Sequence, residues 1–108
     1  MQARQGDLFF ATVENKRDTS KMKPHPSPIL AYGEATGHTH RIISPSMEEL
    51  DSWVDSNGDI IICNPNGPIE VAHDEHGTIT LPQGEQICIS RQREYDPVAA
   101  MRERQVRD

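Results

Sequence analysis

At 108 residues the chain has room for one domain, spanning residues 1–108, with a modest core, because a chain this short buries only about two-thirds of its unfolded surface. Hydrophobic residues make up 34% and charged residues 26%, so much of the chain must be loop or solvated face. The formal net charge is −6, and no Lys or Arg stands between Ile42 and Ser90, where Glu48, Glu49, Asp51, Asp55, Asp59, Glu70, Asp74, Glu75 and Glu85 lie; such a field attracts cations and repels phosphate backbones, so nucleic acid is not an expected partner.

Apolar segments are short, rich in Ile, Val and Phe, and punctuated by Pro, Gly and Asn. That pattern predicts an all-β domain, a small barrel or two-sheet sandwich of about seven short strands, with a short C-terminal helix. The first strand is expected over Asp7 to Val13. Residues 14–28 are polar, with Pro24, Pro26 and Pro28 at alternate positions, which forbids helix and predicts a surface loop. Ile29 to Tyr32 and His38 to Ser44 read as two strands. Ser46-Met47-Glu48-Glu49-Leu50 carries a capping-box pattern, with Ser46 as N-cap and Glu49 reaching back over a short helical turn.

Trp53 and Val54 are expected to return the chain to the core, with Trp53 as its anchor. Ser56 to Asp59 reads as a turn and Asp59 to Cys63 as a strand. Asn64-Pro65-Asn66-Gly67 then predicts a hairpin to Pro68–Ala72, with Asn66-Gly67 supplying positive φ angles. Thr78 to Leu81 is a short alternating strand, Pro82-Gln83-Gly84 a tight turn, and Glu85 to Arg93 the last strand. Asp96 as N-cap and Pro97 at the first helical position predict a helical tail over 96–108. Cys63 and Cys88 sit in apolar runs without Cys-x-x-Cys spacing, so free, buried thiols are expected. Met1 to Gly6 is polar and no long apolar stretch follows, so neither a signal peptide nor a membrane span is expected, and the cytoplasm is the expected compartment.

Four of the five histidines come as two close pairs, His38-Thr39-His40 and His73-Asp74-Glu75-His76. On a strand, an i, i+2 pair leaves the same face, about 6.5–7 Å apart along the backbone. An i, i+3 pair needs a turn, which Gly77 and the charged middle residues favour. Converging imidazoles suit zinc, iron, nickel or copper, with nitrogen–metal distances of about 2.0–2.1 Å for zinc, and the ion expected here is zinc, iron, nickel or manganese. The expected site is therefore a divalent transition-metal site of His38, His40, His73 and His76.

Gly33-Glu34-Ala35-Thr36-Gly37-His38-Thr39-His40 with the later Pro82-Gln83-Gly84 resembles a degenerate cupin signature. The resemblance implies a small β-barrel in which His38 and His40 hold a metal and Pro82 and Gly84 form a turn. Ser44 and Pro45 stand where a cupin glutamate would follow, and the second histidine pair precedes the Pro-x-Gly turn instead of following it. The chain also resembles a group of small bacterial and phage proteins of unknown function, through the same stretch and its Arg91-Gln92-Arg93-Glu94-Tyr95 ending.

Glu75 could serve as a general base beside a metal-activated water, although an exposed loop carboxylate is the simpler reading. Glu34 is a candidate ligand or a partner orienting an imidazole. Glu70 is explained by cross-strand pairing and His25 by its proline-flanked loop. Arg91, Arg93 and Tyr95 would share one strand face. Three functions follow: a non-catalytic module whose metal is structural; a metal-dependent oxygenase, isomerase or lyase on a small organic acid; or an accessory or decoy protein of a phage or mobile element. A protein partner or a second copy of the chain is compatible with each.

Overall fold

Short β-branched segments with period-two burial assemble into two antiparallel sheets in a computed structural model that describes residues 1–32 and 37–91. In chain order the described strands are β1 (Gln2–Gln5), β2 (Leu8–Thr12), β3 (Lys23–Pro24), β4 (Ile29–Tyr32) and β5 (Thr39–Ser44). They continue with β6 (Asp51–Val54), β7 (Ile60–Cys63), β8 (Ile69–His73), β9 (Gly77–Leu81) and β10 (Ile87–Arg91). One sheet runs β1-β2-β10-β7-β6-β3 and the other β4-β5-β8-β9. The architecture is a sandwich and not a closed barrel, which settles the choice that composition left open.

The core lies between the sheets. Leu8 and Phe10 of β2, Ile60 and Ile62 of β7, and Ile87 and Ile89 of β10 face Ile42 of β5, Ile69 and Val71 of β8, and Leu81 of β9 in one buried cluster. Each such side chain contributes about 1.5–3 kcal/mol of transfer free energy, so alternation alone selects the inward face. At one margin β1 approaches β9, and the Gln5 side chain crosses the gap to donate to the carbonyls of Val71 and Gly77 at 2.9 and 2.6 Å.

Several local expectations are corrected. β1 was hidden because Gln2-Ala3-Arg4-Gln5 has no apolar alternation; its one fully buried residue, Gln5, is buried by hydrogen bonding. Trp53 lies on β6 and is only partly buried, whereas the fully buried anchors are Phe10, Ile61, Ile62, Ile69, Val71, Leu81 and Ile87. The 3₁₀ turn Met47–Glu49 forms, yet Ser46 gives no side-chain cap; the Glu49 N–H reaches the Ser46 carbonyl instead. Cys63 and Cys88 are free but half-buried, and burial pushes both thiols above their ordinary pKa. Glu70 sits opposite Thr80, in keeping with cross-strand pairing. The helical tail over 96–108, Arg93, Tyr95 and Glu34 lie outside the described residues.

The Asn64–Pro68 connection is not a hairpin: β7 and β8 belong to different sheets, so the chain crosses the sandwich here. Gly67 does not take a positive φ. Asn64, buried, does the turning, accepting the Asn66 N–H at 3.1 Å and donating to the Pro68 carbonyl at 3.2 Å. Asx turns of this kind need the side chain and not a left-handed residue.

Residues 14–28 contain the two-residue strand β3, whose Pro24 is tolerated because it lies on a sheet edge. The loop is also tied down by Arg17. Its N–H donates to Gln86 Oε1, its carbonyl accepts from Gln86 Nε2, and its guanidinium lies 2.9 Å from Asp55 Oδ2. Arg17 thus joins Gln86, which precedes β10, to Asp55, which follows β6.

Burial alone would raise the Asp55 carboxyl, but the Arg17 guanidinium and the N–H groups of Asp59 and Asn57 outweigh it and hold the group below its ordinary value. A depressed folded pKa contributes stability that is present above the unfolded value of about 3.9 and is lost as pH falls through the folded one. Asp55→Ala should therefore cost about 2–4 kcal/mol at neutral pH and flatten the loss of stability between about pH 4 and pH 2. Urea melts across that range measure both; a wild-type acid limb retained in the variant would show that Asp55 does not carry it.

Candidate metal centre

Strand alternation delivers the first two imidazoles. On β5, His40 continues the inward row of Ile42; on β8, His73 continues the row of Ile69 and Val71. Ile42 lies opposite Val71 and Arg41 opposite Ala72, so the same register carries His40 to His73. Their ring centroids are 4.3 Å apart, and the two residues are 2% and 8% exposed, which places them at the end of the core and not on its surface. His76 sits in the turn between β8 and β9, closed by Gly77 at φ +73°, and its ring lies 4.7 Å from that of His73. His38, just before β5, meets His73 edge-on at 5.8 Å. All four expected histidines are thus brought together, with His73 at the centre. His25 is elsewhere, its ring Nε2 3.1 Å from the Ile29 carbonyl.

The turn between β1 and β2 supplies the rest of the site. Gly6, at φ +59°, packs its backbone against two of the rings: a Cβ there would stand 2.9 Å from His76 Cδ2 and 3.2 Å from His40 Cε1. Beside it, Asp7 Oδ1 lies 3.2 Å from His40 Nε2, and Asp7 Oδ2 accepts from Arg91 Nε at 2.6 Å. Gln5 Oε1 lies 2.9 Å from His40 Nδ1. Burial and then the neighbouring His73 hold the His40 imidazole below its ordinary pKa, against the pull of Asp7. Burial would raise Asp7, but the Arg91 guanidinium brings its carboxyl below the usual range.

His73 Nδ1 accepts the backbone N–H groups of Glu75 and His76 at 3.1 and 3.2 Å, so this ring stabilises its own turn. His38 Nδ1 lies 3.2 Å from Glu75 Oε1, and among the described residues this buried nitrogen has no hydrogen-bond partner. Glu75 itself is exposed. Among the described residues, no group of three or more His, Cys, Asp or Glu side chains stands in a geometry that holds an ion without rearrangement. The His40 and His76 rings lie tilted to that of His73, and His38 meets it edge-on.

Gln5, Gly6, Asp7 and Arg91 were not legible as site residues. Asp7 reads as the start of a strand, and nothing in Gln5-Gly6-Asp7 signals proximity to residues more than thirty positions away. The usable signal was Gly-Asp at a strand boundary, which marks a turn but not what the turn touches.

A family model described as Domain of unknown function (DUF8820) matches residues 4–92, and the chain belongs to that family. No curated protein and no solved structure matches the chain. Among the described residues no helix is long and apolar enough to cross a membrane.

Proposed function

We propose that this DUF8820 domain binds one divalent transition-metal ion, of the zinc, iron, nickel or manganese group, at the cluster of His38, His40, His73 and His76, and that the ion is structural. The observation that carries the reading is the convergence itself: four of the five histidines, from segments more than thirty residues apart, meet at one end of the core. Imidazole and carboxylate are the donors such ions select. An ion there would cross-link β5 to the end of β8 and the β8–β9 turn, and a site that joins distant segments contributes binding free energy directly to folding.

The catalytic reading has one observation in its favour. A cleft of about 290 Å³, lined by Leu8, Leu30, Ile60, Ile89 and Arg91 among others, borders the Asp7–Arg91 pair. A small organic acid there would lie near the ion.

Elemental analysis by mass spectrometry tests metal binding. Untagged wild-type protein equilibrated with each of the four metals and then desalted should retain about one ion per chain. His40→Ala should lose it, because the buried ring is the fixed point of the cluster, and His25→Ala should retain it. Wild-type protein that retains none of the four metals would reject the proposal.

A further inference from the structure

The outer face of the larger sheet holds a second polar constellation, built around Arg17. The Val13 N–H donates to the Gln86 carbonyl and the Asp55 N–H to the Asp59 carbonyl, each at 2.9 Å, so Gln86 and Asp55 extend their strand ladders by one residue. Alternation then puts Gln86 on the same face as Cys88, and Asp55 on the same face as Trp53. Cys88 and Trp53 both lie opposite Ile61, so the five residues share one face. That face is turned away from the smaller sheet, because Ile60, Ile62, Ile87 and Ile89 belong to the core cluster and Ile61 does not. Ile61 is nevertheless fully buried. By continuation of the register Gln86 stands level with Cys63 and Asp55 level with Asp59, so a residue that touches both runs past Ile61.

Arg17 touches both. Gln86 Oε1 accepts its N–H at 2.8 Å and Gln86 Nε2 donates to its carbonyl at 3.0 Å, so one carboxamide reads the main chain whatever the side chain is. Asp55 Oδ2 accepts from the guanidinium at 2.9 Å, while Oδ1 is fixed by the N–H groups of Asn57 and Asp59 at 2.8 and 2.9 Å. Both receptors are buried: Gln86 is 6% exposed and the Asp55 side chain 3%. The segment they hold is not, since residues 14–22 include no buried residue. Among the described residues, every hydrogen bond from 14–22 to the rest of the domain passes through Arg17. A segment without buried apolar contacts belongs to the least stable part of a domain and opens before the sandwich does.

We propose that Gln86, Asp55 and Ile61 form a recognition site for an arginine in an extended peptide segment, occupied in cis by Arg17 and open to an arginine of a partner protein when residues 14–22 lift. Asp55 supplies the charge, Gln86 the main-chain bonds and Ile61 an apolar floor for the methylene stem. The tether holds Arg17 at a millimolar effective concentration, so a partner has to compete with it and the segment acts as an internal inhibitor. The site is independent of the histidine cluster and of any metal bound there.

The probe is a capped peptide of residues 14–20, titrated into the full chain and followed by nuclear magnetic resonance at Ile61 and the Gln86 side-chain amide. Arg17→Gly, which vacates the site, should bind the peptide at least about tenfold more tightly than wild type does. Exchanging the peptide's arginine for lysine, or adding Asp55→Asn to the variant, should weaken binding by roughly tenfold or more. A folded Arg17→Gly protein that shows no saturable binding at millimolar peptide, or that binds arginine and alanine peptides alike, would overturn the proposal. Native-state hydrogen exchange of wild type reads the lifting without a variant. The Arg17 N–H should exchange roughly 100-fold or more faster than the N–H groups of β7 and β10, with little dependence on urea. An Arg17 N–H that exchanges only with global unfolding would overturn the proposal, whether or not the variant folds.

Discussion

Zinc at a free concentration about 1,000 times its Kd should stabilise the folded protein by about 4 kcal/mol and raise its melting temperature by roughly 15–30 °C. The expectation follows from where the donors lie. In the proposed site His38 and His40 stand at the start of β5, and His73 and His76 at the end of β8 and in the β8–β9 turn, so an unfolded chain would not hold them around one ion at comparable affinity. Melts of apo and zinc-loaded protein, with chelator returning the second to the first, measure the shift. A loaded protein whose melt moves by only a few degrees would mean that the ion does not bear on the fold. The cleft beside Arg91 would then be the place to screen small organic acids as substrates.

Gln5→Ala should destabilise the protein by about 2–4 kcal/mol even without metal, a large share of the roughly 5–15 kcal/mol that holds a domain together. Gln5 is 1% exposed and makes three hydrogen bonds, to Val71, Gly77 and His40. Truncation takes a partner from the Val71 carbonyl and from His40 Nδ1, both in buried surroundings, and from the part-buried Gly77 carbonyl, and unpaired buried groups carry the cost of desolvation. Gln5→Glu provides the control for volume: it fills the same space but cannot donate to two carbonyls, so it should be no better than alanine. Urea denaturation gives both values. Losses below about 1 kcal/mol in both variants would show that the Gln5 clamp between the sheets is dispensable.

The same residue shows why part of the site could not be read from the chain. Polar side chains enter a core for hydrogen-bonding reasons, and a hydrogen-bond partner has no sequence period. Gln5 is inward because two carbonyls of the other sheet wait opposite it, a fact that exists only once β1 lies beside β9. Asp7 follows from the same pairing.

What the amino-acid sequence by itself determined is the all-β character and the histidine faces. β-branched segments separated by Pro, Gly and Asn cannot make helices of useful length, and a period of two makes His40 a continuation of Ile42 and His73 a continuation of Val71. Either histidine pair therefore had a face before it had a partner. Tertiary structure alone decided that the sheets form an open sandwich, that the chain crosses between sheets after β7, and that His73 turns its lone pair inward to its own backbone. Alternation specifies which way a side chain points, whereas strand order and hydrogen-bond partners depend on long-range packing, so residues as distant as Gly6 and His76 become neighbours only when the whole domain closes around them.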